Sequence, residues 1–261
     1  MSSSRERILL KSADEIARIR RAGDIVRRTL EAMRDAIVPN VSTTADLERV
    51  AAHEITRRGG TSAFLGYAPP GHPPFPAWTC ISVNEVVIHG IPGDRVLREG
   101  DLVSCDVGVR LDGYYADSAW TFPVGRLTRD HEKLLHVAEE ALYEGLTQAK
   151  AGKHVGDIGY AIERHVRRNG LTVVRDMVGH GVGRQLHEPP QVPNHGKPGR
   201  GPLLEEGATL AIEPMVMMGA RTIEVLADQW TIVSGDRKAS AHFEHTVAVT
   251  ANGASILTQG E

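Results

Sequence analysis

Cysteine is nearly absent: Cys80 and Cys105 are the only two in 261 residues. That is too few for a disulfide framework and excludes the small stapled secreted folds. No charge of one sign accumulates either. The net charge is −3, and no long run of like charge breaks the chain, so neither a nucleic-acid footprint nor a membrane-surface patch is expected. No apolar stretch approaches the ~18–20 residues of a membrane span. The opening MSSSRERILL has no apolar signal-peptide core, so a cytoplasmic location is expected. Low-complexity sequence is confined to a Pro-rich loop near residues 69–76. There is no His-Glu-x-x-His helix, which removes that class of metalloprotease. What remains is 41% apolar, enough for one large domain or two small ones with a sizeable core.

The most informative stretch is Leu102–Trp120. Asp112-Gly113 is a two-residue hairpin signal, because such turns need positive φ. With the turn there, Leu111 pairs with Tyr114 and Gly108 with Asp117. Asp106 shares the face of Gly108, so Asp106 and Asp117 become diagonal cross-strand neighbours. Two carboxylates aimed at one spot repel unless a proton or cation lies between them. Alone, the pair fits an ordinary exposed hairpin as well. Cys105 should face the opposite side, into the core.

Elsewhere, Ser12 and Glu15 form a capping box at the start of a helix closed by Pro39. A second helix runs from about Thr44 to Arg58 and ends at Gly59. Ala68–Pro76 reads as loop, and Cys80–His89 as strand and turn. Helices then recur over about Thr128–Lys150 and Val155–Arg168, the latter stopped by Asn169-Gly170. Strands are expected around Leu171–Val178, Thr209–Met217, Thr222–Ala227 and Ala241–Thr250, and the Pro- and Gly-rich Glu188–Pro202 segment reads as loop. Helix, helix, strands thus occurs twice. The run Leu97–Asp106 aligns with Leu204–Glu213, sharing Leu, Glu, Gly and a final carboxylate. Asp46-Leu47, Arg57 and Gly59 likewise match Asp157-Ile158, Arg168 and Gly170. One catalytic domain over 1–261 is expected, with repeat halves at about 12–125 and 126–250 around one core. Asp106 and Glu213 then hold equivalent places.

Three further residues stand out: His180 between glycines, Glu213 in Ala211-Ile-Glu-Pro-Met215, and Glu244 in an otherwise apolar strand. A buried strand carboxylate is costly unless paired or metal-bound. Each has a plain structural alternative, as a salt-bridged core glutamate or a capping histidine. Four carboxylates and one imidazole can instead hold two divalent ions, and that oxygen-rich set suits Mn²⁺, Fe²⁺ or Co²⁺ at least as well as Zn²⁺. The remaining histidines read as surface or capping residues on helices, with His72 and His195 in loops. His242 is expected to approach Glu244, and His245 to point away.

Over nearly its whole length the chain resembles the type I methionine aminopeptidases. The motifs are Asn84–Pro92, the Asp106/Asp117 hairpin, Gly179–Glu188, Ile212–Val216 and Glu244-His-Thr246, in the family's order. The resemblance implies an α+β pita-bread fold, with two pseudo-symmetric halves around an antiparallel β core and helices outside. It implies a methionyl aminopeptidase that removes the initiator methionine before a small second residue, by attack of a metal-bridging water. Asp106, Asp117, His180, Glu213 and Glu244 would be ligands of two divalent metal ions (Co, Mn, Fe or Zn), with Asp117 and Glu244 bridging. Glu213 would carry the proton, His89 would bond near the leaving nitrogen, and His187 would stabilise the oxyanion. Tyr67, Cys80, Trp230, Phe64 and Leu186 match the methionine pocket. Leu186 stands where the family often has Phe, and the loop from Leu65 to Cys80 is longer than in short bacterial members. The substrate would be the N-terminal Met of peptides and nascent chains, and the chain's own Met1-Ser2 start is of that kind. A monomer is implied, with room for transient ribosome association. The rivals are a pita-bread peptidase of X-Pro specificity, told apart by the pocket residues, and a degenerate binding module, which would have lost ligands that are all present here.

Overall fold

Each half begins with a helical hairpin, and in the first hairpin side chains cap both helices. α1 (Ala13–Asp35) starts at Ser12, whose hydroxyl accepts from the Glu15 amide while Glu15 reaches back to the Ser12 amide. α2 (Thr44–Arg57) starts at Thr43 with Asp46 in the reciprocal role. Both helices bury one apolar face, with Ile19, Val26 and Met33 on one and Leu47, Ala51 and Ile55 on the other. These observations come from a computed structural model that describes residues 8–260; the Met1-Ser2 start lies outside the described residues.

The first half continues with β1 (Thr61–Ser62), β2 (Cys80–Val83), β3 (Val86–Ile88), β4 (Leu102–Leu111) and β5 (Tyr114–Pro123). The second half has α3 (Arg129–Leu146), α4 (Val155–Arg168), β6 (Thr172–Val173), β7 (Val178–Gly181) and β8 (Glu188–Pro193). It ends with β9 (Thr209–Ile212), β10 (Met215–Met217), β11 (Ile223–Val225), β12 (Ile232–Ser234), β13 (Ser240–His242), β14 (His245–Val249) and β15 (Ala254–Ile256). All strand pairing is antiparallel. The larger sheets are β1-β4-β2 with β5 on β4, and β15-β14-β9-β7-β8. α1 and α2 cover the first and share a core with Cys105, while α3 and α4 share a second core with β9 and β14. This is the α+β pita-bread architecture. Among the described residues no helix is long and apolar enough to cross a membrane.

Several local contacts occur once in each half. The Thr43 amide donates to Asp46 and the His154 amide to Asp157, both at 2.7 Å. Isolated bridges join Thr43 to Val96 and His154 to Leu203. Gly59 and Gly170 end their helices at φ 79° and 75°, and Gly100 and Gly207 turn at φ 90° and 91°.

The structure departs from the sequence reading in its strands. Glu188–Pro193 is a strand, β8, not a loop; it lies at a sheet edge, where prolines cost no ladder hydrogen bond to a second neighbour. The expected strands at 209–217 and 241–250 are each broken, at Glu213-Pro214 and at Phe243-Glu244. Only Thr172–Val173 and Val178 of the 171–178 run are strand. α3 stops at Leu146, four residues short of Lys150.

Candidate active site

The β4–β5 hairpin turns at Asp112 and Gly113, with φ of 49° and 83°, the left-handed pair that matches strand twist. Leu111 faces Tyr114, Gly108 faces Asp117, and Asp106 faces Ala119 on one side and Cys80 on the other. Period-two alternation therefore sends Asp106 and Asp117 to one face and Cys105 into the opposite core. The second half supplies the rest. His180 sits in β7 opposite Ala211, and Glu213 and Glu244 occupy the two strand breaks. Gly179 makes the approach possible: a Cβ there would lie 2.4 Å from the Ala211 carbonyl oxygen.

Cross-links stitch the halves at this seam. Thr246 Oγ1 accepts from the Asp117 amide at 3.1 Å and lies 3.1 Å from its Oδ1. Ser118 donates to the Glu244 carbonyl, Glu244 N–H donates to the Ala119 carbonyl at 2.8 Å, and Thr121 donates to the His242 carbonyl at 2.8 Å.

The electrostatics of the cluster call for a cation. His180 Nδ1 lies 2.9 Å from the Gly181 carbonyl, so Nδ1 carries the proton and donates it. Its Nε2 lone pair then faces Asp117 Oδ2 at 3.5 Å and Glu213 Oε1 at 3.6 Å. Burial holds the His180 pKa down at about 4, which keeps the ring neutral. Burial, and then the neighbouring carboxylates, push Asp106, Glu213 and Glu244 well above the usual carboxylate range; burial raises Asp117 as well. Acceptors facing acceptors in a buried site need a proton or a cation between them. Asp117, His180 and Glu244 offer donor atoms within 4.8 Å of one another. An oxygen-rich set with one imidazole fits a divalent ion.

The cluster forms the floor of a cavity of about 400 Å³. All twelve residues singled out from the sequence line it: the five above, His89, His187, Phe64, Tyr67, Cys80, Leu186 and Trp230. His89 holds a left-handed φ of 57°, and its ring meets Trp230 edge-on at 6.1 Å. Burial lowers its pKa to about 4. His187 stands at the mouth, its Nδ1 2.8 Å from the Tyr67 hydroxyl and its ring 4.3 Å from that of His180. Desolvation, then His180, push its pKa down.

Of the lining residues that the sequence reading passed over, two pack on Trp230 from the Pro-rich loop. Phe75, in the Pro-rich loop, is buried and meets Trp230 edge-on at 5.2 Å. His72, expected to be an ordinary loop histidine, packs on the same indole at 5.6 Å. Trp230 Nε1 donates to the Pro73 carbonyl at 3.1 Å, tying the loop to the second half. A single aromatic within a proline run was the only available signal. His242 does approach the site, with Nε2 3.8 Å from Glu213 Oε2 and no hydrogen-bond partner. His245 points away and pairs with Thr258 Oγ1 at 2.8 Å.

Residues 17–251 match the model of metallopeptidase family M24. The chain belongs to family M24. Within it, methionine aminopeptidases match this chain over their full length. It is 47% identical over 252 residues to methionine aminopeptidase 1 of Bacillus subtilis, covering 97% of this chain and 99% of that one. It is 43% identical to the methionine aminopeptidase of Aquifex aeolicus over 97% and 99% of the two chains. The crystal structure of the Thermotoga maritima methionine aminopeptidase superposes with a TM-score of 0.93 at 42% identity, covering 97% of this chain and all of the other. The prolidase of Pyrococcus furiosus shares the M24 fold, with a TM-score of 0.76 at 22% identity over 66% of its chain.

Proposed function

We propose that this chain removes the N-terminal methionine from peptides and nascent proteins, with a small second residue preferred. The observation that carries the reading is the His180 lone pair facing buried carboxylates from both halves, beside an apolar pocket. Asp106, Asp117, His180, Glu213 and Glu244 would hold two divalent cations of the Mn²⁺, Co²⁺, Fe²⁺ or Zn²⁺ class. When bound, the cations would acidify a water and polarise the scissile carbonyl.

The chain's own residues supply positioning and proton handling. The methionine side chain lies among Phe64, Tyr67, Cys80, Leu186 and Trp230. Glu213 takes the proton from the attacking water and passes it to the leaving amine. A Tyr67 hydroxyl that donates to His187 Nδ1, 2.8 Å away, would leave the other ring nitrogen protonated. His187 Nε2–H then faces the oxyanion as a neutral donor. His89, kept neutral by burial, hydrogen-bonds near the leaving nitrogen.

The paired contacts at Thr43/His154 and Gly100/Gly207 support a single catalytic domain of two repeat halves, at about 12–125 and 126–250. Its working form in this reading is a cytoplasmic monomer. The test is hydrolysis of Met-Ala-Ser by chelator-stripped protein with each metal added back, beside Asp106→Ala. Metal-dependent methionine release that the variant lacks is expected. Cleavage of an X-Pro peptide instead would overturn the specificity, and folded protein without any cleavage would overturn the enzyme reading.

A further inference from the structure

Glu188 follows His187 directly but points away from the cavity. Its side chain is 1% exposed, and so is that of its partner, Lys11. One carboxylate oxygen, Oε1, accepts the backbone N–H groups of Arg184 at 2.6 Å and Gln185 at 3.0 Å. The other, Oε2, takes the Lys11 ammonium, which also donates to the Leu9 carbonyl at 2.8 Å. Lys11 is itself fixed, because its backbone N–H donates to the Gly207 carbonyl at 2.8 Å. Its stem lies against Gly183, where a Cβ would come within 2.6 Å of Lys11 Cε. On the outer side the Arg184 guanidinium pairs with Glu15 at 2.6 Å. Residues 183–188 are thus held from the interior by a carboxylate, and that carboxylate is held by an ammonium from the other end of the chain. This segment delivers Leu186 and His187 to the cavity.

Desolvating two charges costs about as much as their attraction returns, so an apolar pair of similar volume would be at least as stabilising. Global stability therefore does not account for the pair, whereas loop geometry does. Two backbone amides on one oxygen fix the path of Arg184-Gln185, and His187 is two residues on. We propose that the buried Lys11–Glu188 pair positions His187: Glu188 Oε1 anchors the loop, and Lys11 keeps the carboxylate oriented. Neither residue touches substrate. The inference rests on the role given to His187 above.

The test is a double-mutant cycle on the metal-loaded enzyme, read as kcat and KM for Met-Ala-Ser together with thermal unfolding. Breaking the pair singly leaves a buried lone charge and risks misfolding, so the neutral pairs are compared. Lys11→Met/Glu188→Gln retains a side-chain oxygen for the two amides but loses the ammonium that orients it, and is expected to lower kcat less than the leucine pair does. Lys11→Met/Glu188→Leu loses the anchor and is expected to lose kcat by about 100-fold with KM little changed, the scale of a misplaced oxyanion donor. In a His187→Ala background the leucine pair should cost little more, because the donor it positions is already gone. Equal losses in both backgrounds, or an unchanged kcat in folded leucine variant, would overturn the inference. Full activity of His187→Ala alone would instead show that the reading of His187 is at fault. If the leucine pair does not fold, Glu188→Asp, which keeps the charge but shortens the reach, is put through the same cycle against His187→Ala.

Discussion

His180 spends its only proton on a backbone carbonyl and turns its lone pair toward two carboxylates. Without a cation, that arrangement weakens the fold. The carboxyls of Asp106, Glu213 and Glu244 titrate above their unfolded values, so the native state binds more protons than the unfolded one. Their stabilising contribution is complete below the unfolded carboxylate range and is lost as pH rises through the native values. Metal-free Asp106→Asn should therefore melt higher than metal-free parent protein at pH 7, yet gain nothing on adding Mn²⁺. A lower melting temperature in the metal-free variant would contradict the account. His245 has the opposite sign. Burial holds its pKa at about 4, below the ordinary value of ~6.5. Its contribution is present above the unfolded value and lost as pH falls through the native one, up to ~3 kcal/mol at 1.36 kcal/mol per decade. Denaturation of His245→Phe across pH 4 to 7 should show a correspondingly flatter acid limb than the parent, after subtracting the cost of losing the Thr258 hydrogen bond. At this scale the sequence was highly legible. A carboxylate in an apolar strand, or a histidine between glycines, is conspicuous wherever it folds. Phe75 and His72 were not, because whether a loop side chain packs on Trp230 depends on a tertiary hydrogen bond, Trp230 to Pro73, that no local pattern encodes.

The elements were legible where local chemistry decides them. The Ser12/Glu15 capping box and the Asp112-Gly113 turn each appear where their residues predict. The departures have separate causes. Glu213 and Glu244 stand at strand breaks; Pro214, which has no ladder N–H, accounts for the first, and hydrophobic alternation reveals neither. β8 is masked by its prolines, which only an edge position allows. Two glycine substitutions separate intrinsic from tertiary effects. Gly113→Ala meets no neighbouring atom but must hold φ 83°, so denaturant titration should show a loss of about 1 kcal/mol. Gly23→Ala, in the middle of α1, would ordinarily stabilise a helix by about 0.5–1 kcal/mol. Here its Cβ would lie 2.1 Å from the Leu257 carbonyl oxygen. A clear destabilisation, larger than that of Gly113→Ala, is expected. A stabilised Gly23→Ala would mean that α1 does not pack on the C-terminal segment.

At the scale of the molecule, the two halves meet where the chemistry sits. Asp106 and Asp117 come from the first half and His180, Glu213 and Glu244 from the second, and Thr246 and Ser118 lock the seam between them. Either half alone would present carboxylates without their counterparts. The alignment of Leu97–Asp106 with Leu204–Glu213 suggested an internal repeat with a carboxylate at the same place in each copy. That the copies share one core, with a site on their seam, followed from the repeat, whereas which side chains meet there was implied by the resemblance to known peptidases. The most direct test of this arrangement is anomalous diffraction from crystals of the chelator-stripped protein reloaded with Mn²⁺. The account predicts two peaks in the floor of the cavity, bounded by Asp106, Asp117, His180, Glu213 and Glu244. Strong peaks elsewhere with none among these five side chains would contradict it.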